Sequence, residues 1–184
     1  MSTRPWVRKF ALTAHIVSSV GWLGAVACTL ALSVVGLTSQ NGEVVRGVYL
    51  TLEQTGWTVL IPLGMASLLT GLIQALGTKW GLFRHHWVLV KLVLNLLAVA
   101  ILLMYMQTLG SLADMALRTP LAGGDLDGLR SPSPVLHGVG AVVLLLVAAV
   151  LSVYKPRGMT GYGWRKQHEQ RKTIAAADAV TPFR

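Results

Sequence analysis

Residues 85–106 read HHWVLVKLVLNLLAVAILLMYM. After two histidines and a tryptophan the stretch is almost unbroken apolar sequence, long enough to cross a bilayer, which takes about 20 mostly apolar residues. Lys91 stands near its start, where a charge is expensive. Working outward, three more runs of that length appear, so the spans are Phe10–Gly36, Trp57–Gly77, Trp87–Leu109 and Val135–Tyr154. Short connections between them favour antiparallel neighbours. The expected fold is all-α: an antiparallel bundle of four transmembrane helices over residues 1–154, followed by a basic tail over 155–184.

Composition agrees. Of 184 residues 53% are hydrophobic and only 12% charged, where a soluble domain carries about 25%. The net charge of +9 would suit nucleic acid, but its placement argues otherwise. Arg4, Arg8 and Lys9 precede the first span, Lys79 and Arg84 lie between the second and third, and Lys155, Arg157, Arg165, Lys166, Arg171, Lys172 and Arg184 follow the fourth. The other two loops hold Arg46, Arg118 and Arg130 beside Glu43, Glu53, Asp114, Asp125 and Asp127. Basic residues flanking spans stay in the cytoplasm, so both termini are expected there, in a bacterial plasma membrane. The tail, with Tyr162 and Trp164, is expected to be partly disordered and partly at the lipid headgroups. The first run is too long for a signal peptide's apolar region. Cys28 is the only cysteine, which excludes an intrachain disulfide.

The loop around Thr38–Arg46 reads as short. The one at Ser111–Ser133 is longer and is broken by Pro120, Gly123, Gly124 and Pro132, with Pro134 opening the fourth helix. Pro62 removes a backbone donor within the second span and is expected to kink it. In lipid, helices associate through small and polar residues. Gly64, Ser67, Gly71 and Gln74 make one such face on the second span, and His137, Ala141, Leu144 and Ala148 another on the fourth.

At about 1.5 Å per residue, His15 and Lys91 both lie about 8 Å inside the cytoplasmic edge. His15, Ser19 and Trp22 share a stripe on the first helix; Trp87, Lys91 and Asn95 share one on the third. Two polar stripes at one depth are the pattern of an internal site, although a lysine near a helix end also snorkels and His15 also reads as a neutral core histidine. Nearer the other face, His137, Met104 and Cys28 are the residue types that soft copper takes, and histidine with methionine also holds haem iron.

The segments HIVSSVGWLGA (His15–Ala25) and WVLVK (Trp87–Lys91) resemble the first-helix histidine and third-helix Trp-x-x-x-Lys of the membrane protoporphyrinogen oxidases of the HemJ type. That family is similar in turn to the copper-resistance D (CopD) transmembrane domain and to many small bacterial membrane proteins. The resemblance covers two short segments. It implies a haem b or related porphyrin facing His15 and Lys91, with Trp22 and Trp87 as packing supports. The chain departs from the oxidases after the first helix, where it reads ALSVVGLTSQ, and late in the third span at Met104–Met106. The resemblance therefore implies a haem-type site rather than the oxidase reaction.

A neutral imidazole is a good axial ligand, with Ser18 or Ser19 to accept from its second nitrogen, and Lys91 would meet a propionate. The leading expectation is a membrane protein that binds haem for electron transfer or haem handling. The competitors are a structural subunit of a larger membrane complex, which includes self-association, and a copper or small-solute permease component. Partners follow from each: the bilayer, and a redox or membrane-complex partner. Soluble-enzyme chemistry has no phosphate loop, nucleophile–base motif or paired carboxylates to stand on.

Overall fold

The computed structural model describes residues 5–77, 82–119, 129–156 and 158–180, with the side chains of 177–180 excepted. Arg4, Lys79, Pro120, Gly123, Gly124, Asp125, Asp127, Arg157 and Arg184 lie outside these residues. The helices are α1 (Pro5–Thr38), α2 (Gly42–Thr55), α3 (Ile61–Gly77), α4 (His86–Arg118), α5 (Ser133–Tyr154) and α6 (Gly161–Val180). A π-helical turn, Gly56–Leu60, joins α2 to α3 without a break. Four stretches are long and apolar enough to cross a membrane: α1, the continuous Gly42–Gly77 helix, α4 and α5. The protein is an all-α polytopic membrane bundle.

The helices run up and down in the cyclic order α1, α2–α3, α4, α5. α1 packs on α2, α3 and α5, and α4 packs on the same three, so α1 and α4 lie on one diagonal. The buried positions of α1 are Ser18, Trp22, Val26, Thr29, Ser33 and Gly36. They recur at three- and four-residue spacing and so form one stripe. Just before Pro62, where the sequence led us to expect a kink, stands the π turn. Proline lacks an N–H and its ring clashes with the carbonyl four residues back. The backbone widens by one residue there, with the Ile61 N–H reaching the Gly56 carbonyl. Gly56 also admits α4, since a Cβ on it would stand 2.5 Å from the Met106 sulfur.

Two helices run on beyond the apolar spans read from the sequence. The helix of the second span already begins at Gly42, ahead of Trp57, because Val45, Val48, Tyr49 and Leu52 form a buried apolar face at helical spacing. Asn41 caps it, its Oδ1 accepting from the N–H groups of Glu43 (2.9 Å) and Val44 (3.4 Å). The third span runs on past Leu109 to Arg118, burying Leu112, Ala113 and Ala116. Its last carbonyls are capped by Arg46, whose Nε donates to Ala116 (2.9 Å) and whose Nη2 donates to Thr119 (2.7 Å). In the tail, Gly161–Val180 forms α6.

The extensions of the second and third helices build the same end of the molecule. At about 1.5 Å per residue, the 34 residues of α1 and the 33 of α4 span about 50 Å, against about 33 Å for the 22 of α5. A bilayer's hydrocarbon core is about 30 Å thick. The surplus of α1, α2 and α4 packs beyond α5 as a three-helix tuft around Val45, Tyr49, Leu109, Leu112, Ala116 and Leu129, with Val45 and Ala116 wholly enclosed. Tyr49 fastens the returning chain: its hydroxyl donates to the Leu129 carbonyl and accepts from the Ser131 N–H at 3.4 Å. Removing one partner of a buried hydrogen bond costs about 1–3 kcal/mol. Tyr49→Phe is therefore expected to lower the thermal unfolding midpoint in detergent by several degrees. An unchanged midpoint would show that the tuft does not hold the bundle together.

Candidate binding site within the bundle

Two polar regions lie along the bundle axis. The first is nearer the end carrying both termini, where α1 meets α3. His15 Nδ1 stands 3.1 Å from Thr70 Oγ1. The Thr70 hydrogen goes to the Ala66 carbonyl at 2.6 Å, so the imidazole donates and Thr70 accepts. Ser18 Oγ donates to the His15 carbonyl (3.1 Å), and Ser19 pairs with Ser67 at 2.8 Å. Asn95 Nδ2 of α4 donates to the same Ser67 oxygen at 3.4 Å, and Gln74 Nε2 donates to the Ala11 carbonyl at 2.9 Å. The helices come this close because Gly71 faces the His15 ring and Gly64 faces Trp22; a Cβ on either would meet them at 3.0 and 2.9 Å. The small-residue face read on the second span is this seam.

Two buried polar atoms here have no partner among the described residues: Trp22 Nε1 and Asn95 Oδ1. Lys91 Nζ sits 5.9 Å from the centre of the Trp87 ring. The structure thus brings His15, Ser19, Trp22 and Asn95 together around Ser67, with Lys91 one turn of α4 before Asn95. The sequence offered Ser18 or Ser19 as the partner of His15; the partner is Thr70. It sits one turn from Ser67 on the face already read, and hydroxyls at that spacing were the available signal.

The second region is a cavity of about 440 Å³ between α1, α4 and α5. Trp22, Leu60 and Ala98 line one end, and Tyr105 and His137 line the other, with aliphatic walls such as Val26, Leu102 and Leu144. Thr29 and Ser33 border it, but their hydroxyls donate to Val26 (2.9 Å) and Thr29 (2.7 Å) on their own helix. The walls are therefore effectively apolar. Neither His15 nor Lys91 lines this space.

His137 is held in one orientation. Its Nδ1 lies 2.9 Å from the Ser133 carbonyl. A carbonyl only accepts, so Nδ1 carries the proton and Nε2 keeps its lone pair. The ring stacks on Tyr105 at 3.9 Å and 16°, and the Tyr105 hydroxyl contacts Ser133 Oγ at 3.2 Å. Tyr105 carried no role in the sequence reading, although it lies in the Met104–Met106 segment where the chain departs from the oxidases. Met104, 75% exposed, and the exposed Cys28 do not line the cavity with His137. Of the soft-ligand trio, only His137 lines the cavity. Among the described residues no group of three His, Cys, Asp or Glu side chains is placed to hold a metal ion.

Comparison with family models, with characterised proteins and with solved structures finds no match.

The Trp22–Gly64 contact gives a direct test of the seam. Gly64→Ala forces the indole to shift, and overpacking of this kind costs about 1–3 kcal/mol. Gly24, on the same helix as Trp22, has open space around its missing Cβ. Differential scanning fluorimetry in detergent should show a lowered midpoint for Gly64→Ala and none for Gly24→Ala. Equal behaviour of the two would mean the close approach is not a constraint.

Proposed function

We propose that this integral membrane protein binds a haem-type tetrapyrrole in the cavity between α1, α4 and α5, with His137 as the iron ligand. The observation that carries the reading is the pose of His137. Metal-bound imidazoles characteristically donate their second nitrogen to a carbonyl or carboxylate, which fixes the ring and leaves the other nitrogen basic. His137 has that arrangement toward Ser133 and borders an apolar space of 440 Å³, within the range of cofactor sites. The resemblance of the His15 and Trp87–Lys91 segments to haem-handling membrane proteins supports the same cofactor class. It assigns the ligand to His15, however, whose ring is packed on Gly71 and outside the cavity.

When bound, such a group supplies one-electron chemistry. The residues of the chain do the rest. Ser133 holds the proton on Nδ1, Tyr105 keeps the imidazole plane fixed, and the aliphatic walls exclude water. The indole of Trp22 closes the far end. Electron transfer or haem handling in a bacterial plasma membrane, with a redox partner at the membrane, is the role that fits. Copper is not part of the proposal, since Met104 and Cys28 do not line the cavity with His137.

The test is an absorption spectrum of the detergent-purified protein, expressed with ample haem supply, before and after dithionite. Wild type is expected to show a Soret band that shifts on reduction. His137→Ala should lose it and His15→Ala should keep it. Loss in His15→Ala alone would return the ligand to the Ser67 cluster. A colourless wild-type protein would sink the haem reading and leave the structural-subunit role, with the outward Val139, Val143 and Val150 of α5 as helix contacts.

A further inference from the structure

The two partnerless atoms of the seam, Trp22 Nε1 and Asn95 Oδ1, are both fully enclosed, and Trp22 as a whole is only 3% exposed. A bare polar group at membrane depth is costly, since hydrocarbon offers no substitute for water. Enclosed polar atoms are ordinarily satisfied, by the protein or by a small molecule bound to it. One of these two atoms is a donor and the other an acceptor.

Three helices bring them to one place, in two adjacent layers. In the first, Ser67 of α3 pairs with Ser19 of α1 at 2.8 Å and accepts from Asn95 Nδ2 of α4 at 3.4 Å. In the second, one helical turn away on each helix, stand Trp22, Gly64 and Ala98. The indole edge that carries Nε1 lies against Gly64: a Cβ there would stand 3.0 Å from Trp22 Cε2, the carbon bonded to Nε1. Side chains on a helix lean toward its N-terminus, so the Trp22 ring leans back toward the Ser19–Ser67–Asn95 layer. Donor and acceptor therefore lie against the same turn of α3, Gly64–Ser67.

We propose that Trp22 Nε1 and the Asn95 amide hold one hydroxyl group where α1, α3 and α4 meet, at the end of the cavity remote from His137. A hydroxyl is donor and acceptor at once. Its oxygen accepts from the indole N–H, and its hydrogen goes to Asn95 Oδ1. With the amide turned over, the same oxygen accepts from both N–H groups, so a hydroxyl answers either orientation. A carbonyl has no hydrogen for Oδ1, and an ammonium has no lone pair for the indole. Two sources supply such a group. One is an internal water, which needs about two to four polar partners; Ser67 stands beside these two as a third. The other is an alcohol whose apolar body lies in the cavity, which Trp22 itself lines beside Leu60 and Ala98. The site does not rest on the haem reading, because neither of its residues belongs to the His137–Ser133–Tyr105 group.

The test uses the full-length protein in detergent, isotope-labelled at its tryptophan indole nitrogens for magnetic resonance. The Trp22 signal is identified by its loss in Trp22→Phe. In wild type the Trp22 N–H proton is expected at the downfield position of a hydrogen-bonded indole. Asn95→Leu should move it upfield, because the hydroxyl loses its second holder, while Gln74→Leu in the same seam should leave it in place. A cross-peak from this proton to water assigns the hydroxyl to an internal water. A changed signal and a raised unfolding midpoint with decanol, and neither with decane, assign it to an alcohol in the cavity. A Trp22 proton at the free-indole position, with decanol acting no differently from decane, would overturn the site. So would a downfield signal indifferent to Asn95→Leu; if that variant does not fold, the wild-type position decides. None of these signals reads the Soret band, so failure here and failure of the haem reading are separate results.

Discussion

The close approach of α1 to α3 is the constraint on which the bundle depends. In lipid there is no hydrophobic force between helices, so backbones must come near enough for dispersion and short hydrogen bonds to act. Gly64 and Gly71 provide the space, and Trp22 and His15 fill it. The Ser19–Ser67 and His15–Thr70 contacts then satisfy hydroxyl and imidazole groups that would be costly if left bare in hydrocarbon. Because Ser67 also accepts from Asn95, the seam extends to α4 and fixes the register of three helices at one level.

Beyond the membrane-length part, the molecule changes character. The tuft formed by α1, α2 and α4 holds residues with essentially no exposure, including Tyr49 and Leu129, whereas the apolar window of α5 has no buried residue. The two halves are stabilised by different means. The tuft buries aliphatic side chains away from water, and the spanning part relies on small residues and hydroxyls. The π turn at Gly56–Leu60 stands at the change, where Pro62 forces one extra residue into the turn and Gly56 lets Met106 in.

The chemistry divides along the same axis. The His15 group is a closed network in which most members bond one another, so it specifies packing. The His137 group faces open space and keeps a nitrogen uncommitted. Lys91 stands over the Trp87 ring, one turn of α4 before Asn95. A single depth argument placed His15 and Lys91 in one site; in the structure the His15 ring packs on Gly71 and bonds Thr70, and Lys91 stands over the Trp87 ring.

Hydropathy by itself determined the number of spans and their antiparallel order, because the bilayer fixes both the length and the polarity of what crosses it. It also exposed the Gly64–Ser67–Gly71–Gln74 face, since helical spacing is a local property. The outer limits of the second and third spans were not legible in that way. Glu53 and Arg46 look like loop residues until Tyr49 and Val45 are seen packed between α1 and α4. The helical tail likewise needed the docking of Gly163 on Arg84. The same holds for the site. His15 and His137 could both be named as imidazoles at membrane depth, but their roles depended on what each ring meets. Gly71 and Thr70 enclose one; Tyr105 and an open cavity border the other. Those neighbours come from separate helices, and only tertiary packing brings them together.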